Sequence, residues 1–355
     1  MSGSNRSISA ANLQDFLGKL FSTSGMPLAD ANFCAKALVQ TNLWGIDSHG
    51  VLRAPIYLQR LHSRAMNPTP AVKKVRGSGV LEVLDGDDGA GFVVGRAAMN
   101  RAIELAQQFS MGAVGVIRSN HFGAAGLFAR MAVEQGLIGL VMTSVMPNIV
   151  APGGSRPITG NNPIAIGIPT FGGFPFVLDI SLSNVAGGKL LLASKKGEQI
   201  PLDWATDRNG RPTSDPDEAF AGFLLPLGAH KGLGLSYVVD ILSGLITGGV
   251  FQHSLKSMYK YPDDPSLTSH FMIVINPLAL MSQDEMQARM AEFQQTIKAS
   301  PMWDETQEML LPGELEHRTM QHRLENGIPL PPALVADLQK LGEEHGVAFP
   351  LTAAG

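Results

Sequence analysis

Cysteine is all but missing: Cys34 stands alone among 355 residues. A single thiol makes no intrachain disulfide and no cysteine zinc site. An excess of one charge is missing too. Lys and Arg number 27 against 31 Asp and Glu, a formal net charge of −4. No run of like charges occurs, which argues against a nucleic-acid partner; Lys73 and Lys74 read as the wet face of a strand. Long apolar runs are missing as well. "GLIGLVMTSVMPNIV" is short and broken by Pro147, and "GLGLSYVVDILSGLITGGV" carries Asp240 and several glycines, so no membrane span is expected. The opening "MSGSNRSISAANLQ" lacks the apolar core of a secretory leader. These absences predict a soluble, cytoplasmic chain. The usual dinucleotide fingerprint is also absent: "GDDGAG" at 86–91 has the wrong glycine spacing for G-x-G-x-x-G. His317 and His322 are not four apart, and no metal is expected.

What the chain has is apolar residues, 45% of it, and 39 glycines. That is enough to bury a large core and make many close backbone approaches. Ser9 is placed to cap a helix over 9–24, with Leu13, Phe16, Leu17 and Leu20 at helical spacing. A second helix fits 28–44. Two strands with a Gly-Ser-Gly turn fit 71–86. A helix over 91–109, the strand "GAVGVIRS", the turn and helix of "NHFGAAGLFARMAVEQG", and the strand "LIGLVMTSV" then alternate, which predicts a mixed sheet covered by helices. Strands fit "IAIGIPT", "PFVLDISLS" and "HFMIVINP", and helices fit 184–195, 282–299 and 332–345. Residues 230–249 read as one long apolar helix, and 202–218 as an exposed loop. Three segments are expected: helical material at 1–67, a sheet-centred cofactor and substrate domain at 68–300, and a tail at 301–355 packing back on the first helices. His62, His253, His270 and His345 read as surface residues, and the 16 methionines as fillers of core gaps.

The stretch "GIDSHGVLRAPIYLQRL", 45–61, crowds polar chemistry together. His49, Arg53 and Tyr57 are spaced i, i+4, i+8, one face of a helix if the segment is helical. Asp47 and Ser48 stand where side chains cap helix starts. Pro55 either kinks that helix or begins a new one. Val51, Leu52, Ile56, Leu58 and Leu61 form the opposite face and are expected in the core. A capped, solvated surface helix is the bland alternative. The chemistry is specific, however. Arg clamps a carboxylate through two parallel hydrogen bonds, and His gives a proton to a carbonyl oxygen or imine nitrogen near neutral pH. That pair suits a small 2-oxo or 2-imino acid.

Six motifs, in order, carry a resemblance through most of the chain: "GIDSHGVLRAPIYLQRL", "SNHFGAAG", "GNNPIAIGIPT", "PFVLDISLSNVAGGK", "GAHKGLGLSYVVDILSG" and "LPGELEHR". The sequence resembles the malate/L-lactate dehydrogenase family that is unrelated to Rossmann-type enzymes. The resemblance implies an α/β, L-sulfolactate dehydrogenase-like fold. It also implies hydride transfer between NAD or NADP and a small 2-oxo, 2-hydroxy or cyclic 2-imino acid, in a homodimer with its active site where the subunits meet. His49 matches the proton donor, Ser48 its relay and Arg53 a substrate-binding arginine. Asn161 falls where family members hold the substrate, with Asn in place of the family's Thr; Tyr57, on its position alone, is expected to hydrogen-bond the substrate carboxylate or the cofactor. His121, the alternative catalytic base, opens a cofactor segment continuing through Phe122, Gly123, Ala124 and Ala125. Ser144, Asp179, Ile180, Ser181, His230, Lys231, Pro312, Gly313 and Glu314 match further cofactor positions. Gly187 and Gly188 stand where the family commonly has Arg-Gly, which shifts specificity if that Arg holds substrate or cofactor.

On the residues alone the other readings stay open. The small residues of "NHFGAAG" suit a phosphate cradle or a close-packed strand–helix turn. Asp179 suits a sugar hydroxyl or a helix cap. Lys231 at a helix start suggests a cofactor phosphate. Ser48, His49 and Asp47 also admit the nucleophilic chemistry of a hydrolase or lyase, although adjacent residues in one turn point apart. A non-catalytic homologue that binds a metabolite is the third class.

Overall fold

Runs of Val, Ile and Leu too short for helices become the central strands, and the stretches with a 3.6-residue stripe become the helices over them. The computed structural model describes residues 6–350; residues 1–5, part of the opening stretch read above, and 351–355 lie outside it. In chain order the elements begin with β1 (Arg6–Ile8), α1 (Ala10–Thr23), α2 (Leu28–Leu43) and α3 (Ala54–His62). Then come β2 (Lys73–Ser78), β3 (Leu81–Asp85), α4 (Gly91–Phe109), β4 (Met111–Ser119), α5 (Gly126–Val133) and β5 (Ile138–Thr143). β6 (Ile149–Val150), β7 (Pro157–Thr159), β8 (Ile164–Ile168), β9 (Phe176–Ile180), α6 (Gly187–Lys196), β10 (Ala205–Thr206), α7 (Pro216–Ala221), β11 (Phe223–Leu224) and α8 (His230–Val239) form the middle. β12 (Thr268–Ile275), α9 (Gln283–Lys298), α10 (Glu314–Asn326), β13 (Ile328–Leu330) and α11 (Pro332–Glu344) close it.

Among the described residues the strands make three sheets. The large one runs β2-β3-β4-β12-β5-β8-β9, with β3 and β4 parallel and every other neighbour antiparallel. β2 is exposed along its whole length, and Lys74 pairs with Glu82 of β3 there. Charge on an edge strand discourages pairing with another chain. α4 and α5 pack on the sheet, and the largest apolar cluster joins them to α1, α2 and α3. The Ser9 hydroxyl caps α1, accepting from the Asn12 N–H at 3.2 Å. β1 pairs with β13, so the two ends of the described chain are stitched together.

Register decides where the site falls. Ser119 and Thr143, at the carboxyl ends of β4 and β5, flank His270 of β12, and Ile164 pairs with both Met142 and Ile180. The segments around 119–121, 144, 161 and 179–181 therefore leave the sheet at one edge. Open α/β sheets bind ligands beyond the carboxyl ends of such strands.

Three expectations change. Residues 230–249 are not one α-helix: α8 passes at Asp240 into a π-helical turn to Leu245, where Asp240 bonds Thr159 and Asn162 instead of water. Residues 202–218 are not all exposed loop, because Ala205 and Thr206 are buried in a four-stranded sheet of β10, β11, β6 and β7. His270 is fully buried, not a surface residue.

Candidate active site

The 45–61 stretch is not a single helix. It makes two 3₁₀ turns, Asp47–His49 and Val51–Arg53, before α3 starts with Pro55 in its first turn. Asn42 of α2 holds the bend: its side chain accepts from the Val51 N–H at 2.8 Å and donates to Asp47 at 2.6 Å. A Cβ on Gly50 would collide with that amide, so glycine is required there. Asp47 does not cap a helix; Arg323 of α10 grips its carboxylate through two nitrogens, at 2.6 and 3.0 Å. Ser48 does not cap one either. Of the apolar face, Val51, Leu58 and Leu61 are buried, while Leu52 is half exposed because its 3₁₀ turn points it outward.

Ser48 binds both expected functional groups. Its hydroxyl meets His49 Nδ1 at 2.9 Å, and its carbonyl accepts from Arg53 Nε at 2.7 Å. Arg53 is thereby held by Nε, with its two terminal nitrogens left to present as a fork. Burial and the Arg53 charge push the His49 pKa down to about 4, so the imidazole is neutral at pH 7. With Asp47 engaged by Arg323, no carboxylate orients His49, and the Ser–His–Asp reading lacks its third member.

His121 completes the cluster. Its ring stacks on His49 with centroids 5.6 Å apart, and its Nδ1 lies 2.6 Å from the Tyr57 hydroxyl. The Gly123 N–H also points at Nδ1, at 3.4 Å. Nδ1 is then the acceptor, Tyr57 donates, and Nε2 carries the proton. Burial and neighbouring cations hold this imidazole neutral too. Tyr57 is itself buried.

The sheet edge fixes the residues around His121. Arg60 of α3, 1% exposed, donates to Asn120 Oδ1 at 2.9 Å. His270 bonds Thr143 and Ser119 through its two ring nitrogens, at 2.7 and 2.8 Å, and stacks on Phe122 at 4.4 Å. Phe122, Gly123, Ala124 and Ala125 are buried, so of this turn only His121 reaches the surface. The start of α5 is not an open phosphate cradle: Asp179 takes that position, accepting from the Gly126 N–H at 2.7 Å. Burial raises its pKa to about 6.

Elsewhere along the edge, Asn161 accepts from Asn148 at 3.2 Å, and the Ser144 hydroxyl is spent on the Ser269 carbonyl. Past Ile180, the Ser181 hydroxyl meets Ser183. The strand continuing through Leu182–Asn184 runs beside Leu225–Gly228. The starts of α6, at Gly187 and Gly188, and of α8, at His230 and Lys231, thus follow from one strand pair, both exposed and neither capped by a side chain. Nothing stands within 4 Å of a Cβ built on Gly187 or Gly188. Pro312, Gly313 and Glu314 lie at the opposite edge: Pro312 accepts from Val177 near the start of β9, and Glu314 is held by Lys298 and Arg318.

Reading the sequence missed Asn42, Arg60, Asn120 and Arg323. Arg60 carried a signal, since it follows Tyr57 by three on an apolar helix. Asn42 and Asn120 stand beside the motifs that were singled out, but nothing local shows what their amides hold, and Arg323 comes from a distant segment.

The family model described as malate/L-lactate dehydrogenase matches residues 8–339. A malate dehydrogenase of Pyrococcus abyssi is 38% identical over 343 residues, 94% of each chain. A (2R)-3-sulfolactate dehydrogenase (NADP(+)) of Chromohalobacter salexigens is 35% identical over 316 residues, covering 89% of this chain and 92% of that one. The solved sulfolactate dehydrogenase of Methanocaldococcus jannaschii superposes with a TM-score of 0.91 at 34% identity, covering 97% of this chain and 98% of that one.

Proposed function

The chain belongs to the malate/L-lactate dehydrogenase family, and from that membership we propose that it oxidises or reduces C2 of a small 2-hydroxy or 2-oxo acid with NAD or NADP. The observation carrying this reading is Ser48, whose two oxygens hold His49 and Arg53 beside His121. A carboxylate fork and a titratable imidazole on one residue are what an acid substrate with a reacting neighbour carbon requires.

The residues present suit a dinucleotide. His121 offers a donor at Nε2 beside the sheet edge, and the uncapped start of α6 offers the Gly187 and Gly188 N–H groups with Lys189 next to them. At α8 the Lys231 and Gly232 N–H groups are taken by the Gly228 and Leu227 carbonyls, so that end offers the exposed His230 and Lys231 side chains instead. When bound, the nicotinamide supplies the hydride acceptor or donor. The protein does the rest. Arg53 seats the substrate carboxylate. His49, neutral in the free protein, accepts the hydroxyl proton during oxidation. Burial and the Arg53 charge both depress His49; a carboxylate on Arg53 offsets the second of these, so the imidazole holds a proton more readily for reduction once substrate is seated.

The active species is proposed to be a homodimer. Leu235, Val238, Ile241 and Leu245 make an exposed apolar stripe from α8 into its π-helical end, 45–53% exposed. Such a stripe is what a second copy covers, and it begins one turn from Lys231. The experiment is to follow absorbance at 340 nm with NADH or NADPH and a panel of 2-oxo acids and cyclic 2-imino acids. Turnover of at least one is expected. Dinucleotide binding with no turnover on any of them would assign a binding protein instead.

A further inference from the structure

The loop between the 3₁₀ turn at Gln252–Ser254 and β12 has been given no task, yet it is anchored like part of the core. Leu255 and Met258 are buried, and Met258 belongs to the main apolar cluster. Arg60 holds the far limb with Nη1 to the Tyr261 and Pro262 carbonyls and Nη2 to the Asp264 carbonyl and Ser266 hydroxyl, all at 2.9–3.1 Å. The same Nη2 donates to Asn120, next to His121. One buried guanidinium therefore ties this loop to the catalytic edge of the sheet. Between the two anchors sits Tyr259, 56% exposed, with the Arg53 guanidinium carbon 5.5 Å from its ring centroid.

A large aromatic ring held half in water by an anchored loop, against the Arg53 guanidinium beside His49, has a specific physical effect. A cation over an aromatic face is attracted by the ring quadrupole, and the ring also excludes water from one side of it. Arg53 is already fixed at Nε by Ser48. Contact at the face as well as at Nε leaves the guanidinium little freedom to turn its terminal nitrogens away. We propose that Tyr259 is a specificity-determining wall of the carboxylate subsite: its ring sets the plane of the Arg53 fork and so selects planar α-carboxylates. This rests on the function proposed above.

The test uses the full-length protein and steady-state kinetics with the best 2-oxo acid of the panel, and oxamate as a non-reacting carboxylate probe. Tyr259→Ala is expected to raise KM and the oxamate inhibition constant roughly 3- to 30-fold, the range of an aromatic–cation contact, with a much smaller change in kcat. Tyr259→Phe keeps the ring and is expected to recover most of that loss. In an Arg53→Lys background the Tyr259→Ala change is expected to add little, since the two act as one unit. Because Tyr259 is half exposed, both variants are expected to fold, which thermal melting checks. An unchanged KM in Tyr259→Ala overturns the proposal, and so does a Phe variant as impaired as the Ala one. If the native protein turns over no member of the panel, the proposed function fails and this inference fails with it; a working native enzyme with an indifferent Tyr259 fails the inference alone.

Discussion

His49 depends on its neighbours for both its position and its charge. Ser48 orients it, and Arg53 together with burial keeps it unprotonated down to about pH 4. His49→Asn is expected to lower kcat roughly 10²–10⁴-fold, the contribution of a placed acid–base group, while dinucleotide binding, followed by quenching of nucleotide fluorescence, persists. In the native enzyme, kcat/KM for hydroxy-acid oxidation is expected to stay level from pH 7 to about 5 and then fall as His49 takes up a proton. Single residues were legible in the sequence where type and spacing suffice: His49, Arg53 and Tyr57 do share one neighbourhood. His270 was misread because a histidine inside "SHFMIVI" was counted by its polarity, not by the buried strand around it. Tyr259 was invisible, since nothing local marks a loop phenol as the neighbour of an arginine two hundred residues earlier.

At the scale of elements, α1, α2, α4 and α11 lie within about a residue of where the sequence places them. The signal failed where elements are very short or polar throughout. The paired residues of β6 and β10 are too few to show alternation, and α10 has no apolar stripe, only acidic residues in its first turn. The expected helix at 45–61 broke because Gly50 must pass under Asn42, a contact from α2 that the local pattern does not contain. Arg60 is the chief prediction here. Arg60→Met removes five hydrogen bonds, two to the buried Asn120 and Ser266 side chains and three to loop carbonyls. It is expected to destabilise the fold by about 2–4 kcal/mol, read from the urea midpoint. The loop at 255–266 should also become the first site cut in limited proteolysis. Unchanged stability would mean those oxygens find other donors.

For the whole molecule, the alternation of strands and helices announced a mixed sheet covered by helices, but the order of strands was not readable. β12 enters between β4 and β5 from more than a hundred residues away, and no local signal sets such a partner. Buried neutral imidazoles give the molecule an acid sensitivity. His270 titrates near pH 6.5 when unfolded but near 3 in its slot. Below 6.5 the unfolded chain binds a proton that the folded chain refuses, so stability is full above that value and declines as pH falls toward 3. The slope approaches about 1.4 kcal/mol per pH unit for this one group. Thermal midpoints measured from pH 7 to 5 are expected to fall, and in His270→Phe to fall less steeply. Assembly is tested at the same scale: Ile241→Asp, placing a charge in the α8 stripe, is expected to yield monomers in analytical ultracentrifugation. A native chain that is already monomeric and fully active would refute the dimer.

Ser48 has a consequence beyond alignment. Because the hydroxyl and carbonyl of one serine hold His49 and Arg53, a single residue, and not two separate walls of the cleft, sets how those side chains stand to each other. If they move the proton and seat the carboxylate as proposed, 2-oxo acids are expected to be turned over in preference to 3-oxo acids, which competition kinetics would check.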